Sequence, residues 1–133
     1  MKQGPRILLI DNKPWWSEFS KKVLSKHGYR VDRALDEEGA LKKLDSQKYD
    51  MVVMDFYVSG TDGVTSLKRI LEKHPEEKVV VVSAAPSWKE GRDVFRVGAF
   101  DYLSKSLEKT QLLKTIREGL KIKNPLSHNM RRK

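Results

Sequence analysis

The chain predicts an α/β fold: a doubly wound parallel sheet of five strands with helices on both faces. Three observations carry this. Short continuous apolar runs recur at residues 7–10, 51–54 and 79–82, as expected of strands buried on both faces of a parallel sheet. Segments with apolar residues at helical spacing lie between such runs, and the two patterns alternate in five successive strand–helix units, the signature of a covered parallel sheet. Right-handed crossovers then restrict the topology. The 133 residues are 38% apolar and 34% charged, with no cysteine. That balance suits one globular domain with a real core and excludes disulfides and thiolate metal sites.

In the first unit, residues 7–10 run into a carboxylate, Asp11, followed by Asn12. Pro14 suits a first helical turn. Trp15, Phe19, Val23 and Lys26 share one face by spacing, with Trp16 and Leu24 widening the stripe. Gly28 is a fitting stop. Residues 29–33 read as the second strand. Asp36 can cap a helix whose Ala40, Leu41 and Leu44 face inward.

The central strand is read over residues 50–54, with Asp55 just past its carboxyl end. A short buried helix would show the same apolar run. The flanking Tyr49-Asp50 and Ser59-Gly60 signals favour a strand. After a loop over residues 59–63, Val64, Leu67, Ile70 and Leu71 mark a helix stopped near His74-Pro75. Residues 79–82 form the next strand, ending at Ser83. Ser87 or a neighbour starts a helix through Val94, Phe95 and Val97, stopped by Gly98. Residues 100–103 are the fifth strand, ending at Ser104-Lys105. Leu107, Leu112, Leu113, Ile116 and Leu120 line the last helix, which Asn124-Pro125 ends. One domain is expected over residues 1–123, with a basic tail over 124–133 and no room for a second domain.

The net charge of +9 is uneven. Residues 1–103 carry a net of +2 and residues 104–133 a net of +7. The bland reading is a solvated last helix and tail; the sharper one is a patch for an acidic partner, with nucleic acid as a weaker candidate. No apolar run reaches signal-peptide or membrane-spanning length, so no membrane role and a cytoplasmic location are expected. The three histidines, His27, His74 and His128, are scattered and suggest no metal or catalytic cluster.

Ligands of open α/β sheets bind outside the carboxyl ends of the strands. Four such ends carry polar groups: Asp11-Asn12, Asp55, Ser83 and Lys105. Gathered at one edge, the two carboxylates would repel unless a cation lay between them. Hard oxygen donors of this kind suit Mg²⁺. An Asp beside Mg²⁺ and a Lys can act as a nucleophile toward phosphorus, with the hydroxyl and ammonium binding phosphoryl oxygens.

The motifs "ILLIDNKP", "MVVMDFYVSGTDG", "VVVVSA" and "GAFDYLSK" resemble, in order and spacing, the receiver domain of two-component response regulators, over residues 6 to about 121. The resemblance implies a flavodoxin-like strand order of 2-1-3-4-5 and phosphorylation by a sensor histidine kinase or phosphotransfer protein. It makes Asp55 the phosphoacceptor, and it makes Asp11, Asn12, Asp55 and the Tyr57 main-chain carbonyl the Mg²⁺ ligands. Lys105 and Ser83 would bind the phosphoryl group, and Tyr102 would be the switch aromatic. Output would pass to a downstream protein through the basic surface of residues 87–97 and 107–121, which carries Lys89, Arg92, Arg96, Lys109, Lys114 and Arg117. The chain would not be an enzyme beyond its own phosphorylation and dephosphorylation.

Three positions depart from the pattern. Asn12 stands where a second acidic residue is usual, leaving a formal site charge of about −1 rather than about −2. Ser59 and Ser106 stand where prolines are common. The competing reading is a pseudo-receiver that works by interaction alone. A phosphatase using Asp55 as nucleophile would want a second Asp at position 57, which is Tyr57. No nucleotide-binding glycine loop is present.

Overall fold

The computed structural model describes residues 4–58, 60, 62–105 and 109–122. Strands and helices alternate: β1 (Arg6–Ile10), α1 (Pro14–Lys26), β2 (Arg30–Ala34), α2 (Glu37–Ser46), β3 (Met51–Asp55), α3 (Gly63–Lys73), β4 (Val79–Ser83), α4 (Trp88–Val97), β5 (Asp101–Ser104) and α5 (Lys109–Lys121). Every strand pairing is parallel, and the sheet order is β2-β1-β3-β4-β5. β1 and β3 are therefore neighbours at the centre. The winding reverses between them and opens a crevice above their carboxyl ends.

The apolar runs are continuous because the sheet divides two cores. Successive strand side chains point to opposite faces. Leu8, Ile10, Val52, Met54, Val79 and Val81 enter one core, where Ala40, Leu44, Leu67, Ile70 and Val94 cover them. Ile7, Leu9, Met51, Val53, Val80 and Val82 enter the other, under Trp16, Leu24, Leu112, Leu113 and Ile116. An alternating pattern would leave one face wet, and neither face is. Side chains of Asp36, Asp62 and Ser87 accept hydrogen bonds from the first-turn N–H groups of α2, α3 and α4, satisfying donors with no partner inside the helix. A Cβ on Gly63 would sit 2.4 Å from the Phe56 carbonyl oxygen. Only glycine lets α3 start against the turn that follows Asp55.

The structure corrects several boundaries and one helix face. Asp55 is the last residue of β3, paired with Val82, so its backbone is held by the ladder and not by a loop. β2 and β5 each begin one residue later than read. In α1 the buried residues are Trp16, Ser17, Ser20 and Leu24, while Trp15 is 58% exposed. The i, i+4, i+8 row of positions 16, 20 and 24 faces the sheet. Small serines at 17 and 20 let the helix approach, and the row at 15, 19 and 23 turns to the side. The expectations for Ser59, Ser106, Leu107, the domain limit at 123 and the tail lie outside the described residues.

Candidate functional site

Backbone hydrogen bonds fix the residues at the sheet's carboxyl edge. The Asp11 N–H donates to the Ala34 carbonyl at 2.9 Å, and the Phe56 N–H to that of Val82 at 2.8 Å. The Lys105 N–H donates to the Ser83 carbonyl at 2.7 Å. The ladder thus ends in step, and Asp11, Asp55, Ser83 and Lys105 share one edge as the sequence indicated. Asp11, Asp55 and Ser83 are buried, and the Lys105 side chain is 3% exposed.

Lys105 Nζ lies 2.8 Å from Asp11 Oδ2 and 3.6 Å from Asp55 Oδ2. The Trp16 and Trp15 rings lie 5.2 and 5.9 Å from it. Charges this far from water are tolerable only when paired, and here one cation serves two anions. Burial pushes the Asp55 carboxyl above the usual range; Lys105 pulls it back and Asp11 pushes it further. Asp55 Oδ1 has no hydrogen-bond partner, while Asp11 accepts from the Lys13 N–H through Oδ1 at 2.6 Å and pairs with Lys105 through Oδ2. An orphaned buried carboxylate oxygen is an acceptor that a hard divalent cation fits. Among the described residues no three His, Asp or Glu side chains converge as a metal cage. One or two carboxylates are a donor set that Mg²⁺ accepts, with water and phosphate completing its shell.

Asn12 is exposed, and its Nδ2 donates to the Val58 carbonyl at 2.9 Å. The amide therefore ties the loop after β1 to the loop after β3, a role the sequence did not indicate. The Tyr57 carbonyl stands two residues past Asp55 and accepts a long hydrogen bond, 3.3 Å, from the Gly60 N–H.

Ser83 Oγ accepts from the Ala85 N–H at 3.2 Å. Tyr102 is half-buried; its hydroxyl accepts from the Ser87 N–H at 2.9 Å and donates to Glu90 Oε1 at 2.8 Å. The Tyr57 hydroxyl donates to the other Glu90 oxygen. Burial first, and Glu90 as well, push the Tyr102 phenol up; for Tyr57 the Glu90 hydrogen bond leads. Glu90 was missed in the sequence. Ser87 followed by Glu90 reads as a capping box, in which the Glu would bond the Ser N–H. The structure puts the Tyr102 hydroxyl on that N–H instead.

The surface expected to be strongly basic is so only in part. Asp93 pairs with Lys89 and with Arg92, each at 3.2 Å. Arg92 also lies 4.7 Å from the centre of the Trp88 ring, which is 77% exposed. These carboxylates bring α4 close to neutral. Arg96 remains exposed on α4, and most of this surface's exposed positive charge sits on α5, at Lys109, Lys114, Arg117 and Lys121.

The pattern of the response regulator receiver domain matches residues 7–117. The chain is 31% identical to the chemotaxis protein CheY of Treponema pallidum over 119 residues, covering 87% of this chain and 83% of that protein. It is 29% identical to the transcriptional regulatory protein DltR of Streptococcus agalactiae, covering 84% of this chain but only 50% of that regulator. A response regulator from Thermotoga maritima superposes with a TM-score of 0.82 at 26% identity, covering 90% of this chain and 99% of that one. The protein TrrA from the same organism, solved in complex with Mg²⁺ and BeF, superposes with a TM-score of 0.78 at 29% identity, covering 87% and 99%.

Proposed function

This chain belongs to the response regulator receiver domain family, and from that premise we propose that it is a phosphoacceptor receiver charged on Asp55. The observation that carries this reading is the buried trio at the sheet edge, with Lys105 between Asp11 and Asp55 and an oxygen of Asp55 left without a partner. The donor is a sensor histidine kinase or a phosphotransfer protein. An Asp55 oxygen forms the new P–O bond as the P–N bond to the donor imidazole breaks, and the electron pair leaves with the imidazole.

Asp11 and Asp55, with Asn12 and the Tyr57 carbonyl, would hold Mg²⁺. Bound there, Mg²⁺ supplies neutralisation of phosphoryl charge. Lys105 binds a phosphoryl oxygen and keeps the two carboxylates together. Ser83 presents its hydroxyl to another oxygen, and Tyr102 follows the movement. Exclusion of water by Trp16 and the buried strand ends strengthens each of these interactions.

Output passes through α4, β5 and α5 to an acidic protein partner, with α5 supplying most of the charge. The pseudo-receiver reading rests on Asn12 alone, and no geometry in the site favours it. Phosphoryl uptake from acetyl phosphate, with and without a chelator, tests the proposal. Uptake that needs Mg²⁺ supports it; no uptake in either condition leaves only the interaction module.

A further inference from the structure

We infer that Glu90 is a positioning residue for the Asp55 site, acting through Tyr57 and Tyr102; this rests on the phosphoacceptor reading above. Both Glu90 carboxylate oxygens are taken, one by each phenol. The two tyrosines come from opposite sides of the site. Tyr57 is two residues past Asp55, and its own carbonyl is one of the proposed cation ligands. Tyr102 is three residues before Lys105. Ser83 opposes the upward push on both phenols. One carboxylate on α4 thus joins the loop after β3 to β5, beside the hydroxyl proposed to meet the phosphoryl group.

The local sequence supports this wiring. The Tyr102 hydroxyl takes the Ser87 N–H that a capping-box Glu would otherwise take, and so frees the Glu90 side chain for the two phenols. Ser87 still caps α4 through the Glu90 N–H at 3.1 Å. Gly91 lets the Tyr102 ring lie against the helix: a Cβ there would be 3.1 Å from the ring's Cδ2.

Glu90 stabilises the arrangement in which the Tyr57 loop, the Tyr102 ring and the start of α4 are held together. For Ser83 to turn to a group on Asp55, and for the Tyr57 carbonyl to turn to a cation, this arrangement has to loosen. A contact made in one conformation only opposes any ligand that selects the other, by its full differential free energy. Hydrogen bonds to an ionised acceptor are the stronger kind. Glu90 therefore acts as a brake on charging, and α4 senses the state of Asp55 through Tyr57 as well as through Tyr102.

The test is a titration of the full chain with beryllofluoride and Mg²⁺, followed by tryptophan fluorescence from Trp15 and Trp16 beside Lys105. Glu90→Ala and Tyr57→Phe should each bind tighter than wild type, by about fivefold for Glu90→Ala. Tyr57→Phe keeps the ring, so it reports on the hydroxyl even if Glu90→Ala folds poorly. The double variant should bind no tighter than Glu90→Ala alone, since Glu90→Ala already removes the Tyr57 bond. Unchanged or weaker binding by Tyr57→Phe overturns the brake, and additive effects overturn the link through Tyr57. If wild type itself binds no beryllofluoride, the phosphoacceptor reading fails and the brake with it. Wild-type binding with unaltered variants overturns the brake alone.

Discussion

Lys105 stands closer to Asp11 than to Asp55, at 2.8 against 3.6 Å. The ammonium that ends β5 is therefore held mainly by the carboxylate that ends β1, across β3 and β4. Asp55 keeps one oxygen without a hydrogen bond. The pairing compensates the Asp55 charge without occupying both of its oxygens.

Removing that ammonium should expose the electrostatic cost of the site. Lys105→Met leaves two buried carboxylates with no buried cation, and breaking a buried pair in this way destabilises by about 3 kcal/mol or more. Urea unfolding should show a lower midpoint, with a larger loss at neutral pH than in mild acid, where a carboxylate can take a proton. Saturating Mg²⁺ should restore part of the loss. A midpoint unchanged at neutral pH would show that the pair contributes nothing.

A third buried carboxyl lies away from the site, just before β4. Burial pushes Glu77 from 4.5 up to about 7; Glu76 and Asp50 push the same way, and His74 and Lys78 oppose them. Its folded value is above its unfolded value. The stability it contributes is therefore fully present below a pH of 4.5 and lost as pH rises to about 7. Glu77→Gln should flatten the stability–pH curve over that window and raise stability above it, by about 2 kcal/mol. Thermal unfolding across the pH series measures both; a variant curve parallel to wild type would rule out titration of Glu77 there.

Asn12→Asp has two opposed effects. The amide donates to Val58 at 2.9 Å, and a carboxylate cannot. Without Mg²⁺ the variant should be less stable, by about 1 kcal/mol. The added negative charge beside the cation should tighten Mg²⁺ binding by about 1 kcal/mol or more at an effective dielectric near 20. Tryptophan fluorescence during a Mg²⁺ titration reads the affinity, and urea unfolding in a chelator reads the stability. Weaker Mg²⁺ binding by the variant would remove residue 12 from the metal site.

The strands were legible because burial on both faces writes them as unbroken apolar runs, and the site because each run ends abruptly in a polar residue. Asp11, Asp55, Ser83 and Lys105 needed only parallel pairing in step to meet. The phase of α1 was not legible, since Trp15 and Trp16 are equally apolar and only the small Ser17 and Ser20 mark the inward face. Glu90 was not legible, since its partners Tyr57 and Tyr102 lie 33 and 12 residues away in the chain. The Asn12 bond to Val58 joins loops 46 residues apart, and no local pattern encodes it. The α4 surface read as basic because counting lysines and arginines ignores where Asp93 and Glu90 fall.

The assignment of Asp55 is tested most directly by intact-protein mass after incubation with acetyl phosphate and Mg²⁺, wild type beside Asp55→Asn. Wild type should gain one acid-labile phosphoryl group and Asp55→Asn none. A phosphoryl gain by the variant, or none by wild type, would contradict Asp55 as the phosphoacceptor.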